Sequence, residues 1–473
     1  AHQNVAFEAV DLKTGRYKVI NRFYFTNLRK YDVNYELRAN GSVAKRGKVA
    51  LDVSPQATAE FVIPVTVTVG KPGVEYFVHF SVVTRQAEPL IPIGHEIAQE
   101  QFRLPLETEK DSYEASGKAL GWKAENGKVV VSSSNVYFEL DKATGMVTSY
   151  KVNGTEFFDK AFGVQPNFWR APNDNDYGNS NPKRLQIWKE SSRDFKVSDT
   201  AVREEGETVL MSVTYDLPAG NQYLITYRIY RDGVVNVNVK FTQTDREAEK
   251  TEVLEDTNLA TFTPGKKVKK KDVFEVPRIG VRFRIPHVMN RVEYFGRGPV
   301  ENYVDRNAGS MVGRYKTSVE EMYVNYVRPQ ENGHRTDTRW VSFTNTVGRG
   351  LLVLAEKTIG FNALRNTVED FDSEESSHPY QWRNRSPKEV AGKNEAEAKN
   401  VLRRMTHVND ITPRDFVEVC IDMKQQGVAG YDSWGAKVQP GYTIPANRDY
   451  VWGFTLIPIK NVGDVNKSLR YTY

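Results

Sequence analysis

The feature that most restricts this chain is the recurrence of short alternating apolar runs, punctuated by turn residues, along nearly all of its 473 residues. Alternation with a period of two puts apolar side chains on one face of a strand, whereas a helix needs them three and four residues apart. Tyr17-Lys18-Val19-Ile20-Asn21-Arg22-Phe23-Tyr24-Phe25 reads as one strand. Tyr35-Glu36-Leu37-Arg38-Ala39 and Ser42-Val43-Ala44 flank Asn40-Gly41, two residues that tolerate the positive φ of a type I′ hairpin turn. Glu60-Phe61-Val62-Ile63 and the run from Tyr76 to Val83 continue the pattern. About seven such runs in roughly a hundred residues predict an immunoglobulin-like β-sandwich.

A polar stretch, Leu104-Pro105-Leu106-Glu107-Thr108-Glu109-Lys110-Asp111, interrupts the pattern and reads as a linker. Strands then resume at Val129-Val130-Val131-Ser132, Val136-Tyr137-Phe138-Glu139-Leu140 and Met146-Val147-Thr148-Ser149-Tyr150, with Thr144-Gly145 and Asn153-Gly154 as turns. The runs Tyr223 to Tyr230 and Val234 to Val239 meet across Arg231-Asp232-Gly233, a further hairpin, and the series runs on to Leu456. The expectation is an all-β chain with a first domain at 1–107, a linker at 108–117 and a second domain at 118–473. Strands never alternate with helices, so neither a parallel α/β domain nor a (β/α)₈ barrel is expected. The one convincing helical stretch, residues 394–402, lies in a charged segment from Arg383 to Arg404 and reads as a solvent-exposed insertion.

Bulk properties exclude several classes of function. No apolar run approaches the ~18 residues that span a bilayer, so no membrane partner is expected. A net charge of +5 is mild over this length. The basic run Lys266-Lys267-Val268-Lys269-Lys270-Lys271 lacks interleaved aromatics and reads as a solvated turn, so no nucleic-acid partner is expected either. Cys420 is the only cysteine, which rules out an intrachain disulfide and a cysteine-based metal site; its strand-like surroundings predict a buried, inert thiol. No leader is visible at Ala1-His2-Gln3-Asn4, which leaves a processed or partial chain open and the compartment, cytoplasmic or periplasmic, unassigned.

Metal and phosphate chemistry find little footing. The seven histidines, at 2, 79, 95, 287, 334, 378 and 407, never pair at close helical spacing. Asn173-Asp174-Asn175-Asp176-Tyr177-Gly178 has the look of a calcium loop, but Tyr177 stands where an oxygen ligand belongs and Arg184 where the bidentate glutamate is required. Gly296-Arg297-Gly298-Pro299 lacks the later glycine and helix of a phosphate loop. No metal and no cofactor is expected. Glycoside hydrolysis needs two carboxylates about 5–10 Å apart, and Glu293, Glu301 and Glu331 are candidates that read more readily as loop braces. The aromatic content, 11%, suits strands and sugar binding alike. Gly430-Tyr431-Asp432-Ser433-Trp434-Gly435 combines turn residues, polar partners and a ring that could stack on the apolar face of a sugar; on composition alone, a structural tryptophan is the simpler reading. Trp122, Trp340 and Trp452 sit in strand-like runs and read as core.

Four blocks carry a family resemblance. The run from Phe168 through Arg170-Ala171-Pro172-Asn173-Asp174-Asn175-Asp176-Tyr177-Gly178 resembles the R-A-P-x-D-N-D-x-G signature opening the last domain of glycoside hydrolase family 2 β-galactosidases. Gly296-Arg297-Gly298-Pro299 with Glu301-Asn302-Tyr303 and Asp305-Arg306 is similar to a second block of that domain. So is Arg328-Pro329-Gln330-Glu331-Asn332-Gly333, and the run from Gly427 to Gly435 resembles the segment near the family's C-terminus. The resemblance implies that the second domain is a large antiparallel β-supersandwich of galactose-mutarotase-like type. It also implies that the catalytic glutamates sit on a barrel absent from this sequence, so no catalytic residue is named here. What it carries over is Trp434 as a stacking wall of a galactoside pocket, with Asp432 beside it, and Gly178 and Asn179 in a mobile loop, where glycine would serve a hinge. Tyr431 stands where the family often has Asp.

The function implied is that of a C-terminal portion of a β-galactosidase. Its expected partners are a galactoside substrate, the missing barrel and further copies of the full enzyme. Two other readings stay open at this point. An aldose 1-epimerase would need a histidine acid and a glutamate base, with His287 and His334 available. A carbohydrate-binding module would need only the pocket.

Overall fold

In the computed structural model, which describes residues 2–64, 69–106, 108–218, 220–243, 275–372, 407–432, 435–461 and 463–473, the alternating runs form antiparallel ladders. The expected helix at 394–402 and the basic run at 266–271 lie outside these residues. Among the described residues, seven strands make the first sandwich. β1 (Val5–Asp11), β2 (Arg16–Asn21) and β5 (Thr58–Val62) form one sheet in the order β1-β2-β5. β3 (Tyr31–Ala39), β4 (Ser42–Val49), β6 (Tyr76–Thr84) and β7 (Glu96–Arg103) form the other in the order β4-β3-β6-β7. In a constant-type immunoglobulin domain the fourth strand joins the sheet of the first, second and fifth; here β4 pairs with β3 instead.

The hairpin turn behaves as its residues dictate. Asn40 and Gly41 take φ of 45° and 80°, and Ala39 pairs with Ser42 across them. The strand expected at 17–25 stops at Asn21. The Asn21 side chain is buried there, where it donates to the carbonyls of Thr26, Val53 and Ser54 and accepts from the Phe23 amide, closing the chain into a turn. Phe25, expected in the strand, is consequently 96% exposed. The sandwich core stacks Phe7 on Phe80 at 4.8 Å, with Tyr17 edge-on to Phe80 at 4.9 Å. Each such buried side chain contributes about 1.5–3 kcal/mol relative to exposure.

The segment expected as a linker is anchored. β8 (Asp111–Ser112) pairs in parallel with Tyr471–Thr472 near the C-terminus, and Tyr113 packs against Tyr473 at 4.4 Å and Tyr230 at 5.3 Å. The Tyr113 hydroxyl donates to Asp232.

Beyond it, the described residues form a 12-stranded and a 5-stranded antiparallel sheet that share one core, with Phe138 of the smaller sheet 5.5 Å from Tyr227 of the larger. A meander of four strands, from Lys196–Glu205 to Val235–Thr242, continues into Tyr450–Ile459 and then Gly350–Leu364. The 15-residue strand Gly350–Leu364 changes neighbours along its length. Residues 350–355 pair with Tyr450–Ile459, residues 360–364 pair with Phe416–Gln425, and Glu356, Lys357 and Thr358 between them face solvent. Cys420 is buried in Phe416–Gln425, and desolvation holds its thiol well above the usual range, as expected of an inert residue. Trp340 and Trp452 are buried in strands as read from the sequence, while Trp122, also in a strand, is 40% exposed. Among the described residues no helix is long and apolar enough to cross a membrane.

The two parts touch through a third apolar cluster in which Phe77 of β6 meets Phe295, Leu352 and Ile457. Gln101 of β7 reaches across and exchanges two hydrogen bonds with the Val312 backbone, at 2.8 and 2.9 Å.

Candidate functional site

The run that resembles a failed calcium loop is a capped helix. Asn173 Oδ1 accepts from the Asp176 amide at 2.8 Å and Asp176 Oδ2 accepts from the Asn173 amide at 3.1 Å, a reciprocal capping box that starts α1 (Asp174–Gly178). The same Asp176 carboxylate takes a two-pronged contact from the Arg170 guanidinium, Nη2 to Oδ1 at 2.8 Å and Nε to Oδ2 at 3.2 Å, plus the Asn181 amide group at 2.7 Å. Both partners of this ion pair are buried, which makes it costly to break on one side.

Arg170 has donors left over, and they reach the C-terminal block. Nη1 donates to the Gln426 carbonyl at 2.8 Å and Nη2 to the Gly427 carbonyl at 2.9 Å, while Asn175 Nδ2 donates to the Val428 carbonyl at 2.9 Å. From elsewhere in the chain, Asp305 accepts from the amides of Val428 at 3.1 Å and Ala429 at 2.8 Å. Residues 426–430 are thus held by their carbonyls and by their amides, with Ala429 at φ 54° and Gly430 at φ 90°. A Cβ on Gly430 would lie 2.6 Å from Asn175 Nδ2, and one on Gly427 would lie 2.4 Å from Asp305 Oδ2. The positive φ favours glycine at Gly430, and at both positions an added Cβ would displace the Asn175 or Asp305 side chain that holds the segment.

The structure brings the two ends of the expected pocket wall together. Gly178 ends α1 and lies against Gly435, whose added Cβ would meet the Gly178 carbonyl oxygen at 2.4 Å. Asn179 is buried, accepts from the Asn181 amide at 3.1 Å and donates to the Ala436 carbonyl at 3.5 Å. The segment expected as a loop is therefore helical up to Gly178 and turns at Ser180, φ 63°, into α2 (Asn181–Arg184). A Cβ on Gly178 would lie 3.2 Å from the Gly435 Cα, a tight approach, and the positive φ falls on Ser180 instead. Asp432 is exposed and its carboxylate accepts from the Ala436 amide at 3.1 Å, folding the loop back on itself. Ser433 and Trp434, between Asp432 and Gly435, lie outside the described residues. Tyr431 is 61% exposed and donates to the Lys437 carbonyl.

A buried polar network, absent from the sequence reading as a unit, lies behind these loops. Arg278 Nη2 contacts Glu331 at 2.8 Å, and its Nε is 3.2 Å from Asp422 Oδ1. Asp422 Oδ2 is in turn 3.7 Å from His334 Nδ1, and Tyr303 stacks on the His334 ring at 5.6 Å. Burial raises the Asp422 carboxyl to about 7 against the pull of Arg278, and it raises Glu331 too. Burial, reinforced by Arg278, Arg335 and Arg170, holds His334 well below its ordinary value and hence neutral. Residues from four segments meet here; Tyr303 and Glu331 lie in the quoted blocks, but no local pattern ties them to Arg278 and Asp422.

The three candidate carboxylates are each engaged. Glu293 pairs with Arg314 and Glu331 with Arg278, while Glu301 accepts from the Gly333 amide at 2.8 Å and from Tyr326. His287 is exposed on a turn. Among the described residues, no three His, Cys, Asp or Glu side chains gather as a metal set.

Comparison with known proteins gives the following. Residues 132–456 match the family described as β-galactosidase small chain, and residues 17–105 match β-galactosidase domain 4. The chain is 31% identical over 461 residues to a β-galactosidase of Priestia megaterium, covering 97% of this chain and 39% of that protein. It is 27% identical over 454 residues to a β-galactosidase of Streptococcus thermophilus, covering 95% and 38%. The chain thus spans about two fifths of the length of these relatives. Among solved structures, a galactose 1-epimerase from Lactobacillus acidophilus aligns with 74% of the chain at 7% identity and a TM-score of 0.32.

Proposed function

The chain belongs to the β-galactosidase small-chain family, and on that premise we propose that it serves a glycoside hydrolase family 2 enzyme as one wall of the galactoside pocket and as an assembly surface. The observation that supports this most is the convergence of the family's blocks. Arg170 and Asn175 from the first block and Asp305 from the second grip residues 426–430, the base of the loop that carries Trp434. A stacking ring must be held in place to pre-organise a sugar, and the clamp fixes the described residues that precede it. Gly178 and Asn179, packed on Gly435 and Ala436, couple the neighbouring segment to the same loop.

Hydrolysis in this reading depends on two carboxylates carried by the remainder of the enzyme, and the chain needs no metal or cofactor of its own. The proposed division is a sandwich at 1–107, a connection at 108–117 and the β-galactosidase domain at 118–473, with galactoside, barrel and further enzyme copies as partners.

The test is Trp434→Ala in the enzyme assembled with its remainder. KM for a chromogenic β-galactoside is expected to rise about tenfold, the loss of about 1.4 kcal/mol of ring contact. An unchanged KM would remove Trp434 from the pocket.

A further inference from the structure

Where the two parts of the chain meet, a cleft of about 600 Å³ opens between the start of β6, the connection after β7 and the exposed break in Gly350–Leu364. It shares no residue with the clamp around residues 426–430. Phe295, Trp340 and Leu354 form its buried floor. Among the described residues the indole Nε1 of Trp340 finds no acceptor, so the orphaned polar group of the floor is a donor.

The rim is cationic. Among the described lining residues Arg103, Lys110, Arg339 and Lys357 face two carboxylates, Glu75 and Glu356. Glu75 is already shared by Arg103, at 2.9 Å, and Arg339, so this trio keeps one positive charge. Lys110 and Lys357 are exposed and form no ion pair among the described residues. Two positive charges therefore remain over the cleft once the carboxylates are counted. A volume of this size falls in the range that takes small ligands, and pockets favour boundaries between domains.

We propose that this cleft binds a small polyanion bearing phosphate or carboxylate groups, gripped by Lys110 of the connection, Lys357 of the long strand and the spare donors of Arg103 and Arg339. Oxyanion oxygens only accept hydrogen bonds, which complements a site rich in donors. A ligand that spans both walls ties the sandwich to the larger domain and stabilises the folded chain by mass action.

Thermal unfolding at low ionic strength tests this, with inorganic pyrophosphate and citrate as probes and neutral galactose as a control. Pyrophosphate, citrate or both are expected to raise the melting temperature, and the stronger of the two identifies the preferred anion. Added salt should diminish the shift, because exposed charges are screened within about 10 Å at 0.1 M. Lys110→Glu with Lys357→Glu should weaken binding by more than about tenfold. Lys13→Glu with Lys142→Glu, which changes the net charge equally at exposed sites outside the cleft, should leave it intact. Circular dichroism checks the fold of each variant, and the Lys→Gln pair repeats the test without charge reversal. No shift with either anion, or equal shifts in the two charge-reversed variants, overturns the proposal.

Discussion

At the scale of single residues, two contacts carry consequences that can be measured. Gly435 sits at φ 80° with its missing Cβ directed at the Gly178 carbonyl. Gly435→Ala is expected to cost about 1–3 kcal/mol through backbone strain alone, read as a lower urea midpoint with unchanged slope. Asp422 gives a pH signature. Its carboxyl is raised from 3.8 to about 7 by burial, so the folded chain holds a proton that the unfolded chain releases. Its contribution to stability is fully present below pH ~4 and is lost as pH rises through ~7. Asp422→Asn, which keeps the shape without the charge, should gain stability relative to wild type steadily across that window. Melting temperatures of the two proteins from pH 4 to 7.5 check it, and parallel profiles would contradict the assignment. Residues of this kind are the least legible in a sequence: Arg278, Glu331 and Asp422 are more than fifty positions apart, and only the folded sheet brings them together.

At the scale of elements, local chemistry was readable wherever one turn decides the structure. Asn40-Gly41 makes its hairpin because both residues accept positive φ. The same local reading failed where a side chain reached beyond its neighbours. Asn21 ends β2 by capping carbonyls thirty residues away, and Phe23, Tyr24 and Phe25 leave the strand despite their propensity. At residues 173–178, the Asn173 and Asp176 that imitate a calcium loop are the capping box of α1. The clamp on residues 426–430 yields its own expectation. Asp176→Ala removes the cap and strands Arg170 as a buried charge, so unfolding free energy should fall by about 3–5 kcal/mol. Asp305→Asn keeps the shape but weakens the acceptor for two amides, so hydrogen exchange at Val428 and Ala429 should quicken while the sheet amides stay protected. Equal exchange in both proteins would mean that Asp305 does not hold the loop.

Over the whole molecule, the all-β character is legible because strand periodicity repeats along the chain. The join between the parts was not legible. A polar stretch read as a linker is pinned by Tyr113 beneath Tyr473 and Tyr230, and Phe77 leaves its own sandwich core to pack against Phe295 at 6.3 Å. On the proposed reading, the chain shapes a galactoside site while the carboxylates that cleave are carried by the rest of the enzyme. The direct measurement is hydrolysis of a chromogenic β-galactoside by the purified chain, alone and mixed with the remaining portion of its enzyme. No turnover is expected alone, and turnover is expected on mixing. Turnover by the chain alone that vanishes when Glu293, Glu301 or Glu331 is changed to glutamine would contradict that reading.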